Sequence, residues 1–426
     1  MAQGVTTGAG AEDTAHLSLQ LGRLLLANGA DTRQVQHVVA TFAQAFGYEI
    51  RLFVGYDALL LTVIGPDAFR TKVGRHVQAV SVNMTAVEIL QKIADEAAVG
   101  KLSLETARQQ LDEVDRGVRA YPWWLVAGTL GMTGAGLSKL FGGDWPIFVT
   151  VYVASTVGTM VRLQLGKWRV HALALAFVTA MISGIIGGIG IRLLPSVTPA
   201  LCLIAPGMIL VPGVPLINGI RDTISNRVDL GLARLAFGVV FVIAITLGLV
   251  AATRITGVGI PVSGSGPLLS VGMDAAFSAF TTVGYIFLFN VRTRLSWACV
   301  LCGLCSHTLR TLLMHGGLDI ATGTLLGSMA AGFLAVIFAR RFGTPPATVA
   351  FPGVVALVPG SYAFRAIVAS LQIVKEAGTT SPDLLANAVS LFVTAVLLTG
   401  AIALGVAIPL SIPLNTQWAR ASASED

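Results

Sequence analysis

Side chains able to do chemistry are scarce in the long apolar part of this chain. Asp274 is the one acid placed well within an apolar segment, with Thr281 and Thr282 further along it. A carboxylate there suits proton or cation coupling; the alternative is a solvated position near the end of its segment. His307 and Arg310 are three residues apart, one helical turn on a shared face. Together they could contact a substrate carboxylate, with an imidazole that titrates near neutral pH; the alternative is that Arg310 snorkels to the surface. Arg162 lies nearer the end of its segment and reads as snorkelling. Cys299, Cys302 and Cys305, with His307 beyond, present thiols at steps of three, a spacing that invites a metal. They sit in an apolar segment, where small residues serve helix packing, so no metal and no cofactor are expected. His16, His37 and His76 are scattered and read as surface or packing residues. No nucleophile–base spacing and no Gly-x4-Gly-Lys-Ser/Thr loop is found, which argues against an enzyme and against ATP-driven transport by this chain alone.

The elements that must position these residues are unusual. Pro206-Gly-Met-Ile-Leu-Val-Pro-Gly213 lies deep in an apolar segment and is echoed by Pro352-Gly-Val-Val-Ala-Leu-Val-Pro-Gly360. Each copy sets two Pro-Gly pairs, Pro206-Gly207 with Pro212-Gly213 and Pro352-Gly353 with Pro359-Gly360, where a hydrophobic helix ought to run unbroken. Proline removes a donor and clashes with the preceding turn, and glycine loosens what remains. In lipid the freed groups must find neighbouring helices, water or a ligand. Paired breaks in corresponding positions point to a transport site. Asn218 and Arg365 follow the two breaks by five or six residues and occupy matching places, as contacts to a small zwitterion or anion would require. The alternative for Asn218, and the favoured one for Arg221 and Asp222, is that they simply end a segment.

Composition fits a membrane protein. The 426 residues are 54% hydrophobic and 12% charged, with mean hydropathy +0.77. Residues 1–120 carry a net charge of −2 and residues 121–415 a net charge of +9. The basic balance therefore belongs to membrane loops, and no nucleic-acid surface is expected. The four cysteines, Cys202 included, lie in apolar segments, so no disulfide framework is implied.

Apolar runs of about 20 residues place spans near 121–141, 145–165, 170–190, 198–217, 230–253, 268–290, 296–314, 318–339, 345–368 and 385–411. The Gly-rich stretch at 315–317 could be a loop or re-entrant. With the N-terminus inside, cytoplasmic loops hold Lys167, Arg169, Arg221, Arg227, Arg292, Arg294, Arg340 and Arg341, and external ones mainly Arg192, Arg254 and Lys375. Both termini come out cytoplasmic, and all six tryptophans fall at span ends. Before the spans, 14–118 reads as a small cytosolic α+β domain. It has helices at 15–28 and about 32–47, a two-strand hairpin at 49–54 and 59–64 joined onward by a Gly65-Pro66-Asp67 turn, and helices near 76–98 and 103–115. Residues 1–13 and 416–426 read as tails.

The two membrane parts, 119–258 and 259–415, repeat. Pro359 lies 147 positions after Pro212, and Arg310 and Phe289 lie 148 after Arg162 and Phe141. Five spans per part would turn the second upside down, as in inverted-repeat transporters. The expected fold is therefore a mainly α-helical polytopic membrane protein of ten spans in two inverted repeats.

Several motifs in order carry a resemblance to a known family. They are Leu21-Gly-Arg-Leu-Leu-Leu-Ala-Asn-Gly-Ala-Asp-Thr-Arg33, Phe141-Gly-Gly-Asp144, Leu210-Val-Pro-Gly213, Phe287-Leu-Phe-Asn290 and Leu357-Val-Pro-Gly360. In these the chain resembles the threonine/serine exporter family over residues 14–412. The resemblance implies a bacterial inner-membrane exporter of L-threonine and L-serine, driven by a proton gradient or membrane potential, in two halves that some bacteria encode separately. Split relatives are associated with dicarboxylate export, so a succinate-type substrate is the alternative. A membrane-anchored sensor or enzyme working through 14–118 is the reading from a different class. Expected partners are the small-molecule substrate, a proton or cation and the lipid bilayer; a homo-oligomer is left open.

Overall fold

The computed structural model describes residues 8–64, 69–75, 82–168, 170–263, 268–376 and 378–411. The expected turn at 65–67, His76, Trp418 and the tail at 416–426 lie outside them.

The N-terminal part begins with α1 (Gly8–Ala27) and α2 (Thr32–Ala45). Gly29, at φ +94°, makes the turn between them, and Asp31 caps α2 by accepting from the Gln34 amide. β1 (Glu49–Val54), β2 (Ala58–Ile64) and β3 (Phe69–Arg75) form an antiparallel sheet in that order. Then come α3 (Met84–Ala98), capped by Asn83, and α4 (Leu104–Arg116), capped by Ser103. Leu17, Leu21, Val35, Phe42, Leu61, Leu90 and Leu111 meet in a core of their own, the apolar stripes of the helices closing on one face of the sheet. Three expectations need correction. α1 starts at Gly8, inside the stretch read as a tail. The helix expected from about 76 begins at Met84 as α3, and β3 makes the expected hairpin a three-stranded sheet. β3 is an edge strand carrying Lys72, and charge suits an edge while hiding the strand pattern.

The rest is a helical bundle: α5 (Trp123–Leu140), α6 (Trp145–Lys167), α7 (Ala172–Leu193), α8 (Leu201–Met208), α9 (Gly213–Ile224), α10 (Val228–Thr256), α11 (Val271–Leu288), α12 (Ser296–His315), α13 (Ile320–Phe342), α14 (Pro346–Val354), α15 (Gly360–Lys375) and α16 (Pro382–Leu410). The chain is a mainly helical, multi-pass membrane protein. Among the described residues, seven helices are long and apolar enough to cross a membrane, and nine spans result if each of two bent pairs is one. α5, with its glycines, threonines and Lys139, is not among the seven. Trp123, Trp124, Trp145, Trp168 and Trp297 are exposed at helix ends, where an interfacial belt would lie. Residues 315–317 form a helix-ending turn, with Gly317 at φ +92°.

The bent pairs are the predicted breaks. α8 and α9 meet at 57°, and α14 with its trailing 3-10 turn meets α15 at 43°. Only the second Pro-Gly of each copy breaks the helix; Pro206-Gly207 and Pro352-Gly353 stay inside α8 and α14. Neighbours make that possible. Pro352 frees the Thr348 carbonyl, which accepts from the Cys299 thiol at 3.8 Å. Pro206 frees the Cys202 carbonyl, which lies against Gly187, where an added Cβ would come within 2.4 Å of it.

Packing is reciprocal. A Cβ added at Gly213 would meet Val358 and Val355, and one added at Gly360 would meet Val211 and Met208, so the two breaks cross in contact. α5 and α11 behave likewise. The Thr133 hydroxyl donates to the Thr281 carbonyl at 2.8 Å. A Cβ at Gly136 would lie 2.3 Å from Thr281 Oγ1, and one at Gly284 would lie 2.0 Å from Thr133 Oγ1. Rising numbers on one helix meet falling numbers on the other, so the pair is antiparallel.

Candidate functional site

Two polar features lie in this apolar bundle. The first is a cavity of about 320 Å³ beside the first break. Pro212 and Gly213 line it, Val355 reaches it from the second break, and Phe237 and Tyr285 add aromatic wall. Arg162, on the next-to-last turn of α6, also lines it. It is half-buried on the wall of this cavity, whereas the sequence predicts that it snorkels. The loop before α3 contributes Val82, so the N-terminal part meets the membrane helices at this cavity.

The second feature brings together three residues singled out from the sequence. Asp274 on the first turn of α11 and His307 on α12 are each about 2% exposed, with Oδ1 and Nδ1 3.7 Å apart. Arg310 donates to His307 Nδ1 at 3.1 Å. Asp274 Oδ1, His307 Nε2 and Arg310 Nε have no hydrogen-bond partner among the described residues. A carboxylate, an imidazole and a guanidinium are thus buried together, each with a polar atom left unsatisfied.

Other candidate residues separate. Arg365 lies on α15, one turn past the second break, and does not line the cavity. Asn218 is 3% exposed but faces the N-terminal part, its amide donating to the Gly29 carbonyl at 3.5 Å. Beside it Arg221 pairs with Asp31 at 3.1 Å, and Asp222 with Arg234 at 2.6 Å. Burial alone would raise the Asp31 carboxyl, yet Arg221, the Gln34 amide and Arg234 hold it below its usual 3.8. Asn218 and Arg221 therefore dock the N-terminal part onto α9, and Asp222 ties α9 to α10. The same part reaches the other half of the bundle: the Met84 amide donates to the Phe289 carbonyl at 2.8 Å, Asn290 donates to the Asn83 side chain at 3.0 Å, and Glu88 pairs with Arg292 and Arg294.

The cysteines are free, and no group of three or more metal-ligating side chains occurs among the described residues. The Phe141–Asp144 motif is a loop clasp: Asp144 caps α6 and accepts from Ser196 and the Val197 amide. Sequence reasoning missed the cavity placement of Arg162 and Tyr285. A usable signal was the offset that pairs Arg162 with Arg310.

A family model described as "Putative threonine/serine exporter" matches residues 16–256, and a second, "Threonine/Serine exporter, ThrE", matches residues 274–412. The junction falls between α10 and α11. A "Probable succinate transporter subunit YjjP" from Escherichia coli K12 is 29% identical over 243 residues, 57% of this chain and 94% of that protein. Its Klebsiella aerogenes counterpart is 28% identical over 243 residues, 57% of this chain and 93% of that protein. A "Probable threonine/serine exporter" from Mycobacterium tuberculosis is 26% identical over 386 residues, 83% of this chain and 69% of that protein. No solved structure matches significantly.

Proposed function

Because the chain belongs to the threonine/serine exporter family, we propose that it is a secondary exporter of L-threonine and L-serine, working by alternating access between two inverted five-span halves. The observation that carries this reading is the crossing of the two breaks. Gly213 lies against Val358 and Val355, and Gly360 against Val211 and Met208, each pairing being the other shifted by 147 positions. The antiparallel contact of Thr133 and Gly136 with Thr281 and Gly284 supports inversion, since a two-fold axis relating an antiparallel pair lies across the helices. α5 then joins the nine apolar spans as the tenth, shielded by α6 and α11. Charge in the loops supports an N-terminus in the cytoplasm, with 14–118 docked beneath both halves.

Rocking about the crossing would expose the first break inward and the second outward in turn. The cavity lies at the first break, on the side of the N-terminal part, which supports an inward-facing arrangement. Asp274, His307 and Arg310 lie on the other side, where they can seal the outer path and take up the coupling proton.

The test is efflux from preloaded cells. Pro212→Leu with Pro359→Leu should abolish efflux while the protein still reaches the membrane; unchanged efflux refutes the reading. The succinate transporter subunit among the relatives favours a second substrate reading, a dicarboxylate. Counterflow in proteoliposomes with threonine against succinate separates the two.

A further inference from the structure

Arg162 stands apart from the Asp274, His307 and Arg310 cluster, on the wall of the cavity at the first break. Among the described residues it is the one charged side chain on the wall of the inner cavity, and it makes no hydrogen bond or ion pair there. An arginine that serves only as a membrane anchor reaches past its helix end toward headgroups. Arg162 instead shares a wall with Pro212 and Gly213 of the first break and with Tyr285, itself 2% exposed. The guanidinium is always charged and offers a planar fork of donors that matches a carboxylate. Phe237, Phe241 and Ile209 stand close by, and apolar walls of this kind strengthen a single cation's field.

Size and charge narrow the occupant. At about 320 Å³ the cavity is at the small end of the range for ligand pockets, about 300–1,000 Å³. One cation can neutralise one carboxylate. A second carboxylate would find no second cation on this wall, a costly burial, whereas an ammonium can take backbone carbonyls of the broken segment Ile209–Gly213. We propose that Arg162 binds the carboxylate of the transported molecule in this cavity, and that the site takes small molecules with one carboxylate in preference to dicarboxylates. The inference rests on the exporter reading above.

The experiment uses the full-length protein in proteoliposomes, with counterflow of labelled threonine and three competitors: threonine, its amide and succinate. With the unaltered protein, threonine should compete best, and the amide and succinate about tenfold more weakly or worse, the penalty for a buried charge left unmatched. Arg162→Gln should raise the half-saturation concentration about tenfold or more and erase the preference for acid over amide. Arg162→Lys should fall between, since it keeps charge but loses the fork. The competitor series needs no variant, so it stands even if Arg162→Gln fails to fold. An amide or succinate that competes as well as threonine, or a glutamine variant that still prefers acid, overturns the inference while leaving the exporter reading intact. An unaltered protein that carries no labelled solute overturns both.

Discussion

Asp274 is a carboxylate buried beside an imidazole and a guanidinium, so the three groups share charge that none can shed to water. Removing one member of such a cluster leaves its partners uncompensated. On the coupling reading, Asp274→Asn keeps shape and hydrogen-bonding capacity but cannot carry the proton. Efflux driven by a proton gradient should then fall at least about tenfold, while exchange of labelled for unlabelled substrate, which needs no net proton movement, continues. Parallel measurement of the two modes checks this. Equal loss of both would assign Asp274 to packing or substrate contact.

At the scale of elements, helix contacts are made by small residues and hydroxyls, the means by which apolar helices approach where lipid gives no hydrophobic push. The α5–α11 contact makes a quantitative statement. A Cβ at Gly284 would meet the Thr129 carbonyl at 2.4 Å as well as the Thr133 hydroxyl, whereas at Gly136 the tight neighbour is the Thr281 hydroxyl, with backbone no nearer than 3.4 Å. A hydroxyl can rotate; a carbonyl in a helix cannot. Gly284→Ala should therefore destabilise by about 1–3 kcal/mol, and Gly136→Ala by less, as read from thermal unfolding in detergent. The helices themselves were legible in the sequence because length and apolarity are local properties: expected segments such as 145–165 and 296–314 differ from α6 and α12 only at their ends. The breaks were legible because proline acts on its own backbone. Which Pro-Gly would break was not, since Pro206 and Pro352 stay helical through Gly187 and Cys299, residues far away in sequence. The Asn218 contact was not legible for the same reason: its partner, Gly29, is 189 positions away.

Across the whole molecule, the N-terminal part touches both halves of the bundle, α9 through Asp31 and Arg221 and the α11–α12 turn through Asn83, Met84 and Glu88. On the alternating-access reading, these contacts would resist relative motion of the helices they join. Asp31→Asn tests the first contact cleanly, because asparagine still caps α2 while the charge is gone. Loss of one partner from this largely buried pair should weaken docking by about 3 kcal/mol, read as faster hydrogen exchange around Gly29–Asp31. The pH dependence has a definite sign. Since folding holds the Asp31 carboxyl below 3.8, its contribution is complete above that value and is lost as pH falls through the lower folded value. Acidification through that window should speed exchange around Gly29–Asp31 in the unaltered protein more than in Asp31→Asn.

The crossing of the breaks has an ancestral consequence. Gly213 against Val358 and Gly360 against Val211 are one contact written twice, as a single five-helix gene would produce by inserting in both orientations and pairing with itself. Once the copies are fused, each contact can drift alone. A bulkier side chain at 211 would then demand that 360 stay glycine while leaving 213 and 358 untouched. Descendants of such an ancestor should show two independently co-varying pairs, 211 with 360 and 213 with 358, where the founder had one.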